Sequence, residues 1–156
     1  DLADLGPDDR VLDVGFGAGA GVEAAVQRIG ADRVAAVDPT PSFVAKLRER
    51  VPGIDARVAG AEDVPFADGS FTVIWSIASM HHWDDRDAGL ATLTNKLADN
   101  GRLLVAERLL RRPGHGITAD EIADVTSLLK DLGHTTVEVI ERSVGRHTLA
   151  VIRARR

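Results

Sequence analysis

An α/β chain doubly wound about a mostly parallel sheet is the fold class that this sequence predicts, and three observations predict it. First, a short apolar run from Val11 to Val14 breaks into alternating glycines at Gly15, Gly17 and Gly19. Val22, Ala25, Val26 and Ile29 then follow at helical spacing, giving strand, glycine loop and helix. Second, another apolar run ends in an acid, Asp38, twenty-three residues after Gly15. Third, strand and helix patterns alternate along the chain until two terminal strands are joined by a link short enough to require a hairpin. Five such units and a closing hairpin make a Rossmann-like sheet, parallel except for one strand.

The glycine loop carries the chemistry. Without Cβ atoms, Gly15, Gly17 and Gly19 can take positive φ and let the backbone come within contact distance of a ligand. Gly15-x-Gly17-x-x-Ala20 also satisfies the relaxed dinucleotide fingerprint, so the loop alone leaves several nucleotide-binding families open. Asp13, on the strand just before it, separates them. A carboxylate sits badly beside a doubly charged pyrophosphate and well beside the ammonium and sulfonium of S-adenosylmethionine.

The second strand, Arg33 to Val37, delivers Asp38 to its carboxyl end, where an acid reaches the ribose hydroxyls of a bound nucleotide. Thr40 is the expected helix cap and Pro41 the first helical residue, with the helix running from Ser42 to Arg50. A short third strand covers Ala56 to Ala59, and the loop from Gly60 to Ser70 is too short for another ordinary helix. Phe71 to Ala78 reads as a strand buried on both faces. Met80-His81-His82-Trp83 follows at its carboxyl end, where ligands lie in open α/β sheets.

Leu90, Leu93 and Leu97 mark the next helix, expected to close at Asn100-Gly101 before a fifth strand from Arg102 to Glu107. An arginine-rich connector with Arg108, Arg111, Arg112 and His115 leads to the capping box Thr118-x-x-Glu121. The helix behind it ends at Gly133. Thr136 to Arg142 and Arg146 to Ala154 form the terminal hairpin.

With 156 residues, a formal net charge of -5 and no cysteine, the chain is expected to be one domain with no disulfide, cysteine-ligated zinc or cysteine nucleophile. The charge does not favour nucleic acid as a partner. No apolar run reaches the length of a membrane span and the first residues given lack the basic and apolar regions of a signal peptide, so a cytoplasmic location is the default expectation. Because only ten residues precede the first strand, the domain is expected to lack an N-terminal lid segment. The acceptor pocket would then be completed by that segment, a second subunit or homo-oligomer, or a large substrate.

On these residues the sequence resembles the class I S-adenosylmethionine-dependent methyltransferases, in the small-molecule branch that includes ubiquinone and menaquinone biosynthesis enzymes. The first motif is matched by Asp13-Val14-Gly15-Phe16-Gly17-Ala18-Gly19 and the ribose acid by Asp38. The adenine loop is matched by Ala61-Glu62-Asp63-Val64-Pro65-Phe66, although Gly60 stands where that branch usually carries Asp. His81-His82 and the run from Leu97 to Val105 match as well. The resemblance implies a seven-stranded sheet ordered 3-2-1-4-5-7-6 with strand 7 antiparallel. It also implies cofactor contacts from Asp13, Gly15, Phe16, Gly17, Gly19, Asp38, Pro39, Ala61, Glu62 and Ser76. The reaction it implies is in-line transfer of a methyl to a small-molecule or lipid-like acceptor.

A base is needed only where the acceptor loses a proton, and His81 and His82 are the candidates, with neither favoured. Asp84 and Asp85 suit helix initiation, since adjacent residues diverge and spacing places no further metal ligands; no metal is expected. The absence of cysteine closes the covalent route to cytosine C5, and the absence of tyrosine and of an Asn-Pro-Pro stretch removes the exocyclic-amine motif. Two other readings fit the residues: a catalytically inactive cofactor-binding or partner subunit, and a nicotinamide-dependent oxidoreductase.

Overall fold

The computed structural model describes residues 3–156. In chain order the elements are β1 (Val11–Val14), α1 (Ala20–Ile29), β2 (Val34–Asp38), α2 (Pro41–Arg50), β3 (Asp55–Val58), β4 (Phe71–Ile77), α3 (Arg86–Lys96), β5 (Leu97–Leu110), β6 (Ile117–Thr118), α4 (Ala119–Asp131), β7 (Thr136–Val144) and β8 (His147–Arg155). The main sheet runs β3-β2-β1-β4-β5-β8-β7, the order the resemblance implies, and β8 lies antiparallel to both neighbours. An eighth strand, the two-residue β6, pairs parallel with Leu109 and Leu110. In the sequence it lies within the arginine-rich connector. Gly116 permits the approach, because a Cβ there would lie 2.3 Å from the Arg108 carbonyl oxygen.

Strand alternation divides the core between the two faces of the sheet. Leu12, Ile74, Leu103, Val105 and Ile152 pack with Leu90, Leu93, Val125 and Leu129 of α3 and α4. Val11, Val73, Trp75 and Leu104 belong with Val22, Ala25, Val44 and Leu47 of α1 and α2. All four residues of β1 are buried, which follows from its place between β2 and β4 with helices on both sides.

Two local expectations are corrected. The third helix ends at Lys96, not at Asn100-Gly101, because Leu97 already pairs with Phe71 as strand. Residues 98–101 then form a bulge, with Asn100 at φ 61° and Gly101 packed so that a Cβ would stand 2.6 Å from Leu97 Cδ2. Thr40 occupies the cap position of α2 but its side chain makes no capping bond. Asp38 Oδ1 instead accepts the Thr40 N–H at 2.9 Å. The expected cap at Thr118 is present as a full capping box with Glu121, and Asp85 caps α3 by accepting the Ala88 N–H.

Arg102 fastens the segment before β1 to the sheet. Its guanidinium donates to Asp9 Oδ2 at 2.7 Å and to the carbonyls of Ala3 and Asp4, and Asp9 Oδ1 accepts the Thr72 hydroxyl. Burial raises the Asp9 carboxyl, but the bonds from Arg102, Thr72 and the Gly6 amide outweigh it and hold the group below its ordinary value. Arg102→Ala would strand that carboxylate, and urea unfolding at neutral pH should show a loss of about 3 kcal/mol. The contribution of a depressed carboxyl is present above its unfolded value and disappears as pH falls through its folded value. The gap between native and variant should therefore narrow in acid.

Candidate active site

β1 ends in a loop that the chain can build only with glycine. Gly15, Gly17 and Gly19 have φ of 70°, 54° and 88°, a region other residues enter only with strain. The Gly15 N–H donates to the Val37 carbonyl at 2.8 Å, and a Cβ on Gly15 would lie 1.8 Å from Ser79 Oγ. At Gly17 a Cβ would project into open space, which leaves the backbone there accessible to a ligand. The loop closes on itself through Gly19 N–H to the Phe16 carbonyl, and Arg50 caps the Ala18 carbonyl. The Phe16 ring is buried in the core under α1 and α2.

Asp38 is buried and spans two loops. Its Oδ2 accepts the Gly17 N–H and its Oδ1 the Thr40 N–H, both at 2.9 Å. Each oxygen retains a lone pair for a further donor. Asp13 is different. It is 3% exposed, and among the described residues no cation pairs with it. Burial drives its carboxyl up to about 7; the Trp75 indole N–H opposes this without reaching hydrogen-bond geometry, and the charge of Asp38 adds to it. Gly21 makes room for the carboxyl, since a Cβ there would lie 2.7 Å from Asp13 Oδ2.

Next to the loop a cleft of about 90 Å³ is lined by Gly15, Pro39, the turn from Ala59 to Glu62, and Ser79, His82, Trp83 and Asp84. The structure thus brings Gly15, Pro39, Ala61 and Glu62 to one cleft. Ala61 is buried, and Glu62 Oε1 already accepts the Asp85 N–H at 3.0 Å. Ser76 does not reach the cleft: it is fully buried, its hydroxyl has no partner, and alternation along β4 turns it toward the α3 and α4 core. An apolar cavity of about 430 Å³ lies between α1 and the sheet and includes Trp75, Ile77, Leu104 and Ala106 in its wall.

Geometry separates the two histidines. His81 Nδ1 lies 2.8 Å from Glu107 Oε2, and the carboxyl of Glu107 is 1% exposed. His82 is exposed and has no such partner. A carboxylate on Nδ1 fixes the tautomer and leaves Nε2 as the acceptor, the arrangement of an oriented base. Sequence reasoning missed Glu107. The available signal was an acid at the carboxyl end of an apolar strand beside the strand that carries His81.

A doubly wound sheet with a glycine loop, a buried acid before it and an acid ending the second strand is the architecture of a nucleotide-cofactor domain. The sequence from residue 12 to residue 105 matches the family model described as methyltransferase domain, more than half of the chain. The chain therefore belongs to the methyltransferase domain family. It is 35% identical over 125 residues to methyltransferase GfsG of Streptomyces halstedii, a match covering 77% of this chain and 43% of that protein. It is 29% identical over 140 residues to the 27-O-demethylrifamycin SV methyltransferase of Amycolatopsis mediterranei, covering 85% and 48%. The chain spans less than half the length of these relatives. Among solved structures it resembles 1,6-didemethyltoxoflavin-N1-methyltransferase of Burkholderia thailandensis, which was determined with 1,6-didemethyltoxoflavin and S-adenosylhomocysteine bound. The TM-score is 0.73 at 23% identity, over 95% of this chain and 71% of that one, a likeness of fold.

S-adenosylmethionine is the cofactor that goes with this family, and the residues present fit it. An uncompensated buried carboxyl at Asp13, an unpartnered indole N–H at Trp75 and an open backbone at Gly17 suit a cationic ligand with polar groups. Between about pH 4 and about pH 7 the folded chain holds a proton on Asp13 that the unfolded chain has released. Stability is therefore full below the unfolded value and declines as pH rises toward the folded one. In Asp13→Asn that slope should vanish, which urea unfolding across the same range measures.

Proposed function

We propose that this chain transfers a methyl group from S-adenosylmethionine to a small, largely apolar acceptor. The observation that carries the reading is Asp13, a buried acid that no cation pairs with among the described residues, next to a glycine loop whose shape Asp38 holds. Asp38 and Pro39 would face the ribose, and the turn through Ala61 and Glu62 the adenine. Gly15, Gly17 and Gly19 would offer their backbone to the methionyl portion, with Asp13 beside its ammonium. Phe16 would act through its main chain, and Ser76 has no direct part.

When bound, the cofactor supplies an electrophilic methyl on a sulfonium whose leaving thioether is neutral. The protein's part is then chiefly orientation, which can supply roughly 7 to 11 kcal/mol of the barrier. His81, held through Nδ1 by Glu107, would take the acceptor's proton on Nε2 where one must leave. His82, on the cleft wall, would position the acceptor. The 430 Å³ apolar cavity has Ile77 and Ala106 in its wall, which sit side by side near the carboxyl ends of β4 and β5. An apolar acceptor body would suit that volume, in keeping with small-molecule acceptors.

Calorimetry with S-adenosylmethionine, S-adenosylhomocysteine and NAD tests the cofactor assignment. The first two should bind, and Asp38→Ala should weaken them roughly 10- to 150-fold, the loss of a hydrogen bond to a charged group. Binding of NAD alone would overturn the proposal. In turnover with an acceptor that must lose a proton, Glu107→Gln should lower kcat by about 100-fold while leaving cofactor affinity unchanged. Tight cofactor binding without turnover of any acceptor would favour the inactive-subunit reading.

A further inference from the structure

Three imidazoles converge where His82 joins the cleft wall, and only two of them are neighbours in sequence. His81 and His82 follow β4, while His115 comes from the connector between β5 and β6. The ring centroids of His81 and His82 are 4.0 Å apart, and His115 lies 5.6 Å from the first and 5.7 Å from the second. One nitrogen from each ring can be chosen so that all three lie within 4.8 Å of one another. We propose that His81, His82 and His115 form a binding site for a borderline divalent transition-metal ion of the zinc type, with one coordination position left open.

The chemistry supports each part of that assignment. At Zn–N distances of 2.0–2.1 Å, tetrahedral ligands stand about 3.3 Å apart, so nitrogens at the 4.8 Å limit need to close by about 1.5 Å. His82 and His115 are exposed and free to turn. His81 needs no adjustment of tautomer: Glu107 occupies Nδ1 at 2.8 Å, which presents Nε2 as the ligand atom. A ligand histidine backed by a carboxylate is the usual outer-sphere arrangement at zinc, and the 1%-exposed Glu107 also brings negative charge close to the ion. An all-nitrogen donor set suits zinc, cobalt, nickel or copper and discriminates against magnesium and calcium, which demand oxygen. Three protein ligands leave a fourth position for water or for an oxygen or nitrogen of a bound molecule.

Two consequences are built into the geometry. The ion would tie the connector to the end of β4. It would also take the lone pair on His81 Nε2, so loading and proton abstraction by His81 exclude each other. The second consequence rests on the methyl-transfer reading; metal binding itself does not.

Calorimetric titration of the tag-free chain with Zn²⁺, and absorption spectra with Co²⁺, test the site. One equivalent of Zn²⁺ should bind in the micromolar range or tighter, Co²⁺ should give the visible bands of a tetrahedral site, and Mg²⁺ should not compete. His115→Ala should weaken Zn²⁺ at least tenfold and remove those bands while leaving S-adenosylhomocysteine affinity unchanged. His147→Ala, on the terminal hairpin, should change nothing. Equal Zn²⁺ affinity in the native chain and His115→Ala, or native binding only at millimolar metal, would overturn the proposal. Because cofactor affinity is measured separately, failure of the metal site is distinguishable from failure of the methyltransferase reading.

Discussion

The carboxylate of Asp38 holds together the two strand ends between which a nucleotide would lie. One oxygen takes the N–H of Gly17 and the other that of Thr40, so the loop after β1 and the start of α2 are referenced to one rigid group at the end of β2. Hydrogen bonds to a charged acceptor contribute about 1.5–3 kcal/mol each, and Gly17, which one of them orders, is of the residue type that loses most freedom on folding. Arg50 works from the other side, donating to the Ala18 carbonyl and pairing with Glu23 at 3.3 Å. The loop thus reaches its left-handed conformations with most of the entropy cost already met within the fold.

A second constraint lies on the neighbouring strand. Burial inside the sheet disfavours a negative charge on Asp13, and the nearby carboxyl of Asp38 adds to this. A fold selected for stability alone would place an apolar side chain there, as it does at Val11, Leu12 and Val14. Strain of this kind gathers at binding sites because the partner relieves it. Glu107 shows the opposite solution: an equally buried acid, on the next strand but one, satisfied by the His81 ring and backbone.

Much of the architecture was legible because local chemistry and global topology agree. The alternating glycines, the acid closing β2, the capping box at Thr118 and the link at Gly145 each encode one feature through residues only a few positions apart. What escaped depended on approach between distant segments. β6 exists because Gly116 lets a connector settle against β5, and α3 stops early because Leu97 finds Phe71 as a strand partner. The resemblance implies a cofactor contact from Ser76, whereas strand alternation points its side chain into the core. The pairing of His81 with Glu107 spans 26 residues and the meeting with His115 requires a folded connector. Neither leaves a periodic trace in the sequence.

Trp75 and Trp83 are the only tryptophans in the chain, which has no tyrosine, and they border the site from opposite directions. Trp83 lines the small cleft, while the Trp75 indole stands beside the carboxyl of Asp13 under the glycine loop. Ultraviolet emission from this protein therefore originates almost wholly at the site. Indole fluorescence responds to neighbouring charge and to the polarity of its surroundings, so the optical signal carries both the protonation of Asp13 and the filling of the cleft. The fold has placed its two chromophores where the chemistry is, and the unlabelled chain is its own probe.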